Sequence, residues 1–144
     1  MEGTHGDIDP ALVRDRSGLV ELVRRFSWPG GFPSHLSPQV PGVIHEMLRP
    51  WLCEQLDRHS LRIEDIRSWA IHPGGPRILT ACADSLGLDH ACLEPSQQVL
   101  ADYGNMSSPT VLFILERLRR EGSLRPCVAL GFGPGLVAEA ALFR

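Results

Sequence analysis

The 144 residues are enough for one hydrophobic core and too few for two comfortable domains. The balance of 14 basic against 17 acidic residues gives a formal net charge of -3, which does not favour a nucleic-acid partner. Every basic residue is Arg, which excludes a Walker-type phosphate loop because that motif needs Lys. Residues 1–10 contain no apolar run, so we expect neither a secretory signal nor a membrane span, and the default location is the cytoplasm.

Four cysteines, Cys53, Cys82, Cys92 and Cys127, are irregularly spaced along the chain. They form no CxxC pair, and no histidine spacing typical of zinc accompanies them, so no metal site is expected. In a reducing compartment they would remain free thiols. Three of them fall in predicted helices or strands, which favours buried structural thiols, whereas Cys92 falls in a predicted loop.

The N-terminal part of the chain carries no clear core pattern. A short periodic stretch at residues 11–26 precedes residues 28–33, in which Pro and Gly dominate. We therefore predict that residues 1–31 are a peripheral lead-in to the domain that follows.

A long amphipathic helix is the first predicted element of that domain. From Ser37 to Leu56, apolar residues recur at steps of three and four residues. Pro38 and Pro41 suit the entry of such a helix, whereas Pro50 predicts a kink.

The remaining elements follow from periodicity and from the residues that begin and end them. In chain order they are a strand at residues 66–71, helices at 77–86, 96–101 and 111–120, and strands at 126–132 and 136–143. Gly87 is expected to close the first of these helices. The Ser108 hydroxyl is expected to cap the last one, with Pro109 in its first turn. This mixture of helices and strands predicts an α/β layer.

Two polar residues stand where such a layer builds its sites. His72 follows a buried strand and precedes a glycine-rich loop, although a loop histidine on its own is more often structural. Asn105 precedes a helix and offers an amide donor for a developing oxyanion, but Asn after Gly is also common in turns. The segment Gly131–Gly135 predicts a rigid turn that brings bare backbone close to a ligand or to another chain segment. It is not a GxGxxG dinucleotide motif.

Three stretches taken together carry a family resemblance. The motifs HPGGP at residues 72–76, YGNMSS at 103–108 and GFGPG at 131–135 resemble the signature stretches of type III polyketide synthases, in the same order. Residues 111–116 resemble the family as well. The resemblance covers residues 32–144, a chalcone/stilbene synthase C-terminal-like domain, and residues 1–31 match nothing in it.

The resemblance implies one carboxy-terminal half of a thiolase-like α/β fold, with a mixed sheet flanked by helices. It implies an acyltransferase that condenses malonyl-CoA with an acyl-CoA starter by decarboxylation, with His72 and Asn105 as catalytic residues and with no cofactor or metal. The implied substrate-binding residues are Met106, Ser107, Gly131, Phe132, Gly133, Pro134 and Gly135.

The family's nucleophilic cysteine belongs to the amino-terminal half, so the resemblance implies a complementary half or a homodimer as partner, and no nucleic acid or membrane. Two alternatives stay open. One is a truncated, non-catalytic remnant or a binding or regulatory module with the same fold. The other is a related β-ketoacyl condensing enzyme, against which the GFGPG segment argues.

Overall fold

A computed structural model describes residues 20–27, 39–133 and 136–144, the first segment by its backbone. Its elements are β1 (Val20–Ser27), α1 (Val40–Asp57), β2 (Ser68–Ile71), α2 (Pro76–Leu86), α3 (Glu94–Tyr103), α4 (Pro109–Arg120), β3 (Cys127–Gly133) and β4 (Val137–Phe143). Short 3-10 turns at Ile63–Asp65 and His90–Leu93 precede β2 and α3.

The strands form one mixed sheet in the order β1-β4-β3-β2. β4 pairs antiparallel with both β1 and β3, whereas β2 and β3 are parallel. Parallel neighbours need a crossover that covers the sheet, and here α2, α3 and α4 lie between β2 and β3 in the chain. The predicted α/β class and the mixed sheet flanked by helices are confirmed.

Helices cover both faces of the sheet because side chains of a strand alternate between its faces. From β3, Val128 and Leu130 join the core formed with α1 and α2, which includes Leu52, Leu56 and Leu79. Cys127 and Ala129, which alternate with them along the strand, join a smaller core formed with α3 and α4, which includes Val99, Ile114 and Leu118. The sheet therefore separates two hydrophobic clusters, and α4 packs on β2 and β3.

The predicted helices are confirmed, with small changes at their ends. α1 continues through Pro50, and Pro41 lies in its first turn. Gly87, with φ +70°, closes α2 as expected, because glycine enters the left-handed region without strain. α3 is two residues longer at each end than predicted, and Gly104 follows it with φ +71°.

Two local predictions are wrong. The strand predicted at residues 66–71 begins only at Ser68, because Ile63–Asp65 form a 3-10 turn in which the Asp65 carboxylate accepts the Arg62 N–H at 2.8 Å. The Ser108 hydroxyl makes no capping hydrogen bond. Its backbone is already helical, with φ −51° and ψ −39°, whereas a capping side chain needs an extended residue.

The predicted lead-in contributes a strand of the sheet. β1 pairs along the length of β4, with Val23 opposite Ala141 and Arg25 opposite Glu139, and a register shift lies between Val20 and Leu22. β1 is peripheral only in the sense that it forms one edge of the sheet. The rest of the lead-in, together with Pro38 and the Pro134–Gly135 pair, lies outside the described residues.

Candidate active site

His72 lies at the exit of β2, where the chain is held from both sides. Its N–H donates to Leu130 O on β3 at 2.8 Å, and its carbonyl accepts the Gly74 N–H at 3.1 Å. One residue earlier, the Ile71 N–H points to the open edge of the sheet and donates to Ser96 Oγ at 3.1 Å. The imidazole is half-buried, and burial lowers its pKa because it disfavours the charged ring.

We expect the His72 ring to titrate below its ordinary pKa of about 6.5 in this chain. Since the native state holds the proton more weakly than the unfolded chain, stability falls as the pH falls from about 6.5 through the native pKa. NMR titration of the imidazole signals measures the pKa directly. The His72→Gln variant should lack that signal and should lose less stability over the same pH range. A midpoint above 6.5 would contradict this prediction.

Asn105 lies in the loop between α3 and α4. Its Oδ1 accepts the Ser107 N–H at 2.8 Å, and Ser107 adopts a positive φ of +63°. Asn105 therefore does serve as a turn residue through its oxygen. Its Nδ2 group has no hydrogen-bond partner within the part of the chain that the structure describes, and the residue is exposed. The turn leaves the amide donor available.

The glycines of β3 leave the sheet bare next to these loops. Strand alternation places Gly131 and Gly133 on the α4 side, continuing the row of Cys127 and Ala129. A Cβ built on Gly131 would meet nothing within 4 Å, so the space above this residue is open. Phe132 instead packs with the α1 and α2 core.

An open cleft of about 470 Å³ forms where these segments meet. It brings together five of the predicted site residues, namely His72, Ser107, Gly131, Phe132 and Gly133. Asn105 and Met106 are not among the residues that line it, and Met106 packs partly buried against the α3–α4 core. The predictions for Pro134 and Gly135 lie outside the described residues.

Four further residues line the cleft that the sequence did not single out as site residues: Ser108, Val111, Val137 and Glu139. Glu139 lies directly opposite Gly131 in the β3–β4 ladder, so it occupies the same side of the sheet. The sequence did contain one signal for a site residue here, because Glu139 is the single carboxylate in the apolar strand Val137–Phe143. Its position in the cleft depends on which face α4 leaves uncovered, and the sequence pattern does not show that.

None of the four cysteines lines this cleft, and all four are free thiols. Burial raises the pKa of Cys82 to about 12. Burial also raises the pKa of Cys127, although Ser68 and Arg125 oppose the effect. A raised pKa suppresses the thiolate that acts as nucleophile. The cleft thus offers an imidazole, hydroxyls and a carboxylate, but no thiol.

Within residues 39–133 and 136–144, no group of three or more His, Cys, Asp or Glu side chains is placed to hold a metal ion. Over the same ranges, no helix is long and apolar enough to cross a membrane.

Comparison with known families identifies the domain. The sequence model of the C-terminal domain of chalcone and stilbene synthases matches residues 29–144. A second model, for the XFP N-terminal domain, matches residues 1–49 and overlaps the first. The first match covers more than half of the chain and includes the whole cleft, whereas the second covers about a third of the chain and stops before the cleft residues.

Individual relatives agree with the first match. The alpha-pyrone synthesis polyketide synthase-like protein Pks18 of Mycobacterium tuberculosis is 38% identical over 117 residues, which are 78% of this chain and 30% of that protein. The crystal structure of PKS-I from the brown alga Ectocarpus siliculosus is 32% identical, with a TM-score of 0.73, and the match covers 85% of this chain and 35% of that one. The crystal structure of 1,3,6,8-tetrahydroxynaphthalene synthase from Streptomyces coelicolor, a bacterial type III polyketide synthase, is 31% identical, with a TM-score of 0.76, and the match covers 86% of this chain and 40% of that one.

The chain spans about a third of the length of these relatives. Its fold is the thiolase-like α/β fold of its structural neighbours. The family match, the shared fold and the order of the three motifs agree with one another. The chain belongs to the chalcone and stilbene synthase family and corresponds to its C-terminal domain.

Proposed function

We propose that this chain supplies the His and Asn half of a type III polyketide synthase site, which catalyses decarboxylative condensation of malonyl-CoA with an acyl-CoA starter. The observation that carries the proposal is the convergence of His72, the Asn105–Ser107 loop and the bare Gly131–Gly133 backbone around one open cleft. The family membership is consistent with this reading.

His72 and Asn105 act as donors in this proposal. Loss of carbon dioxide from malonyl-CoA places negative charge on the thioester oxygen, and preorganised donors stabilise that charge in a site that excludes water. The free Nδ2 group of Asn105 and the imidazole N–H of His72 would serve as such donors once the complementary half closes the open cleft. Gly131 lets a thioester approach the β3 backbone, since no side chain fills the space above it.

The nucleophilic cysteine comes from the complementary amino-terminal half, on the same polypeptide or on a separate one. The cysteines of this chain lie away from the cleft, and those with shifted pKa values are shifted upwards. Burial favours the neutral His72 ring in the isolated chain. A thiolate brought within about 4–6 Å would favour the imidazolium, so assembly of the halves would create the ion pair that activates the thiol.

The partners of the assembled enzyme are an acyl-CoA starter, malonyl-CoA and either the complementary half or a second protomer. No metal or cofactor takes part, since the reaction needs a thiolate, donors and a dry cavity. A cytoplasmic location remains a prediction from the sequence.

A mixing experiment tests the proposal. The purified chain is assayed for malonyl-CoA decarboxylation alone and with a cysteine-bearing amino-terminal half from a type III synthase. We expect activity only in the mixture, because only the mixture contains the cysteine together with His72 and Asn105. The same mixture with the partner's cysteine replaced by Ala is the control. Tight association of the two halves without any activity would instead favour a catalytically silent module.

A further inference from the structure

Two hydroxyl side chains are completely buried beneath the loops that carry His72 and Asn105. Ser96 on α3 and Thr110 on α4 are both 0% exposed, whereas the other buried polar residues of the described ranges retain 6% to 8% exposure. A buried hydroxyl is costly unless it is hydrogen-bonded. Both of these hydroxyls accept the backbone N–H of a residue next to a proposed catalytic residue, Ile71 at the end of β2 and Met106 in the α3–α4 loop.

Ser96 closes the open edge of the sheet at the exit of β2. The Ile71 N–H points away from β3, and at an edge strand such a donor has no strand partner. Ser96 Oγ accepts it at 3.1 Å in a buried environment. On the opposite side, Leu130 O accepts the next N–H, that of His72, at 2.8 Å. The His72 backbone is thus fixed between a helix side chain and the neighbouring strand.

Thr110 makes the equivalent contacts below the second loop. Its Oγ1 accepts the Met106 N–H at 2.9 Å, and its own N–H donates to Ser107 O at 3.0 Å. The Asn105 side chain meanwhile accepts the Ser107 N–H at 2.8 Å. These bonds fix the backbone of Met106 and Ser107, the two residues after Asn105. The Asn105 oxygen is used in the turn, so the position of its Nδ2 group is set by the loop backbone.

We propose that Ser96 and Thr110 are positioning residues, each of which fixes one of the two donor-bearing loops of the cleft. The inference rests on the proposed function for its catalytic consequence, but the positioning itself is a property of the chain alone. A donor must be held in place before charge develops, and small displacements weaken its effect. Neither residue lines the cleft, so each acts through the loop that it holds.

The experiment compares Ser96→Ala, Thr110→Val and Ser85→Ala in the chain alone. Ser85 is the matched control, because its buried hydroxyl donates at 2.8 Å to the backbone oxygen of His45 in α1, which belongs to neither loop. Hydrogen exchange of the Ile71 and Met106 amides is measured, together with the NMR signals of the His72 imidazole and the Asn105 side-chain amide. Urea unfolding reports the overall loss of stability.

We expect Ser96→Ala to speed exchange at Ile71 about tenfold beyond any global change and to move the His72 signals, leaving those of Asn105 in place. Thr110→Val should speed exchange at the Met106 amide and move the Asn105 side-chain signals, leaving the His72 signals unchanged. Thr110→Ser should restore the original pattern because it keeps the acceptor. Ser85→Ala should destabilise the chain without either local change. If Ser96→Ala unfolds the chain, Ser96→Cys fills the same space with a weaker acceptor.

Equal exchange throughout the chain, or unmoved His72 and Asn105 signals, would overturn the positioning role and reduce both residues to ordinary core hydroxyls. The mixing assay tests the catalytic consequence of this positioning separately from the positioning itself. If His72→Ala leaves decarboxylation intact, the proposed function fails, while the exchange data still decide whether Ser96 holds the loop. If His72→Ala abolishes activity and Ser96→Ala leaves kcat unchanged, the proposed function stands and the catalytic consequence of the positioning is refuted.

Discussion

Replacing His72 or Asn105 by Ala is expected to lower malonyl-CoA decarboxylation by the assembled halves about 100- to 1000-fold, the usual cost of removing one oxyanion donor. His72 lines the cleft, and Asn105 lies in the loop that contributes Ser107 to it. The backbones of both segments are hydrogen-bonded, so each substitution removes a donor without removing an element of the fold. Steady-state rates of carbon dioxide release measure the effect. The double variant should lose less than the product of the single losses, because the two donors act on one charge.

His90→Ala is the matched control for this experiment. His90 is an exposed histidine whose ring lies 3.2 Å from the Asp84 carboxylate, outside the cleft. Its replacement should leave the rate unchanged. Loss of activity in this variant, or full activity in the His72 variant, would show that the cleft is not the site of decarboxylation. Equal binding of the amino-terminal half by all variants is needed to assign the loss to chemistry.

Local chemistry explains why the helices were predictable from sequence. Gly87 closes α2 in the left-handed conformation, and Pro41, Pro76 and Pro109 lie in first turns, where a missing N–H costs nothing. These effects depend only on neighbouring residues. The cap predicted at Ser108 failed because the Ser108 backbone is already helical. Thr110 instead bonds to this turn, through its N–H to Ser107 O and through its Oγ1 to the Met106 N–H.

β1 was missed because its signal is not local. The segment Val20–Ser27 contains charged residues and no clean alternation, and its place in the sheet comes from pairing with β4, more than a hundred residues later. β-strand preference depends on such partners more than helix preference does. The sequence therefore predicted β2, β3 and β4, which are rich in apolar residues, and not the β1 edge.

The candidate site was predicted by motif resemblance and not by any single residue. Taken alone, His72 and Asn105 each had a plausible structural role, and the structure shows that Asn105 indeed builds a turn. The cleft itself depends on which face of β3 and β4 the helices cover. Glu139 and Gly131 share that face only because of the strand register, which no local pattern specifies.

The outer surface of α3 and α4 exposes large apolar and aromatic side chains. Residues 111–115 of α4 are apolar on all sides, a pattern typical of a helix that is covered all round. In this chain Leu112 is 63% exposed and Phe113 is 45% exposed, and the Phe113 ring lies 5.2 Å from the half-exposed ring of Tyr103. Arg120 and Glu121 line the same surface depression, which gives the apolar patch a charged rim.

We therefore expect the chain alone to self-associate through this patch, and Phe113→Asp to weaken the association about 30-fold or more, as loss of a central aromatic contact does. Burial of the patch against a second copy removes apolar area from water, whereas an aspartate removes that apolar area and adds a charge that must be desolvated on association. Sedimentation velocity over a concentration series measures the dissociation constant. Leu124→Asp is the matched control, because Leu124 is 67% exposed but belongs to the turn between α4 and β3, outside the patch. A monodisperse wild-type monomer, or equal effects of the two substitutions, would contradict this prediction. Either result would show that the chain does not self-associate through the α3–α4 patch.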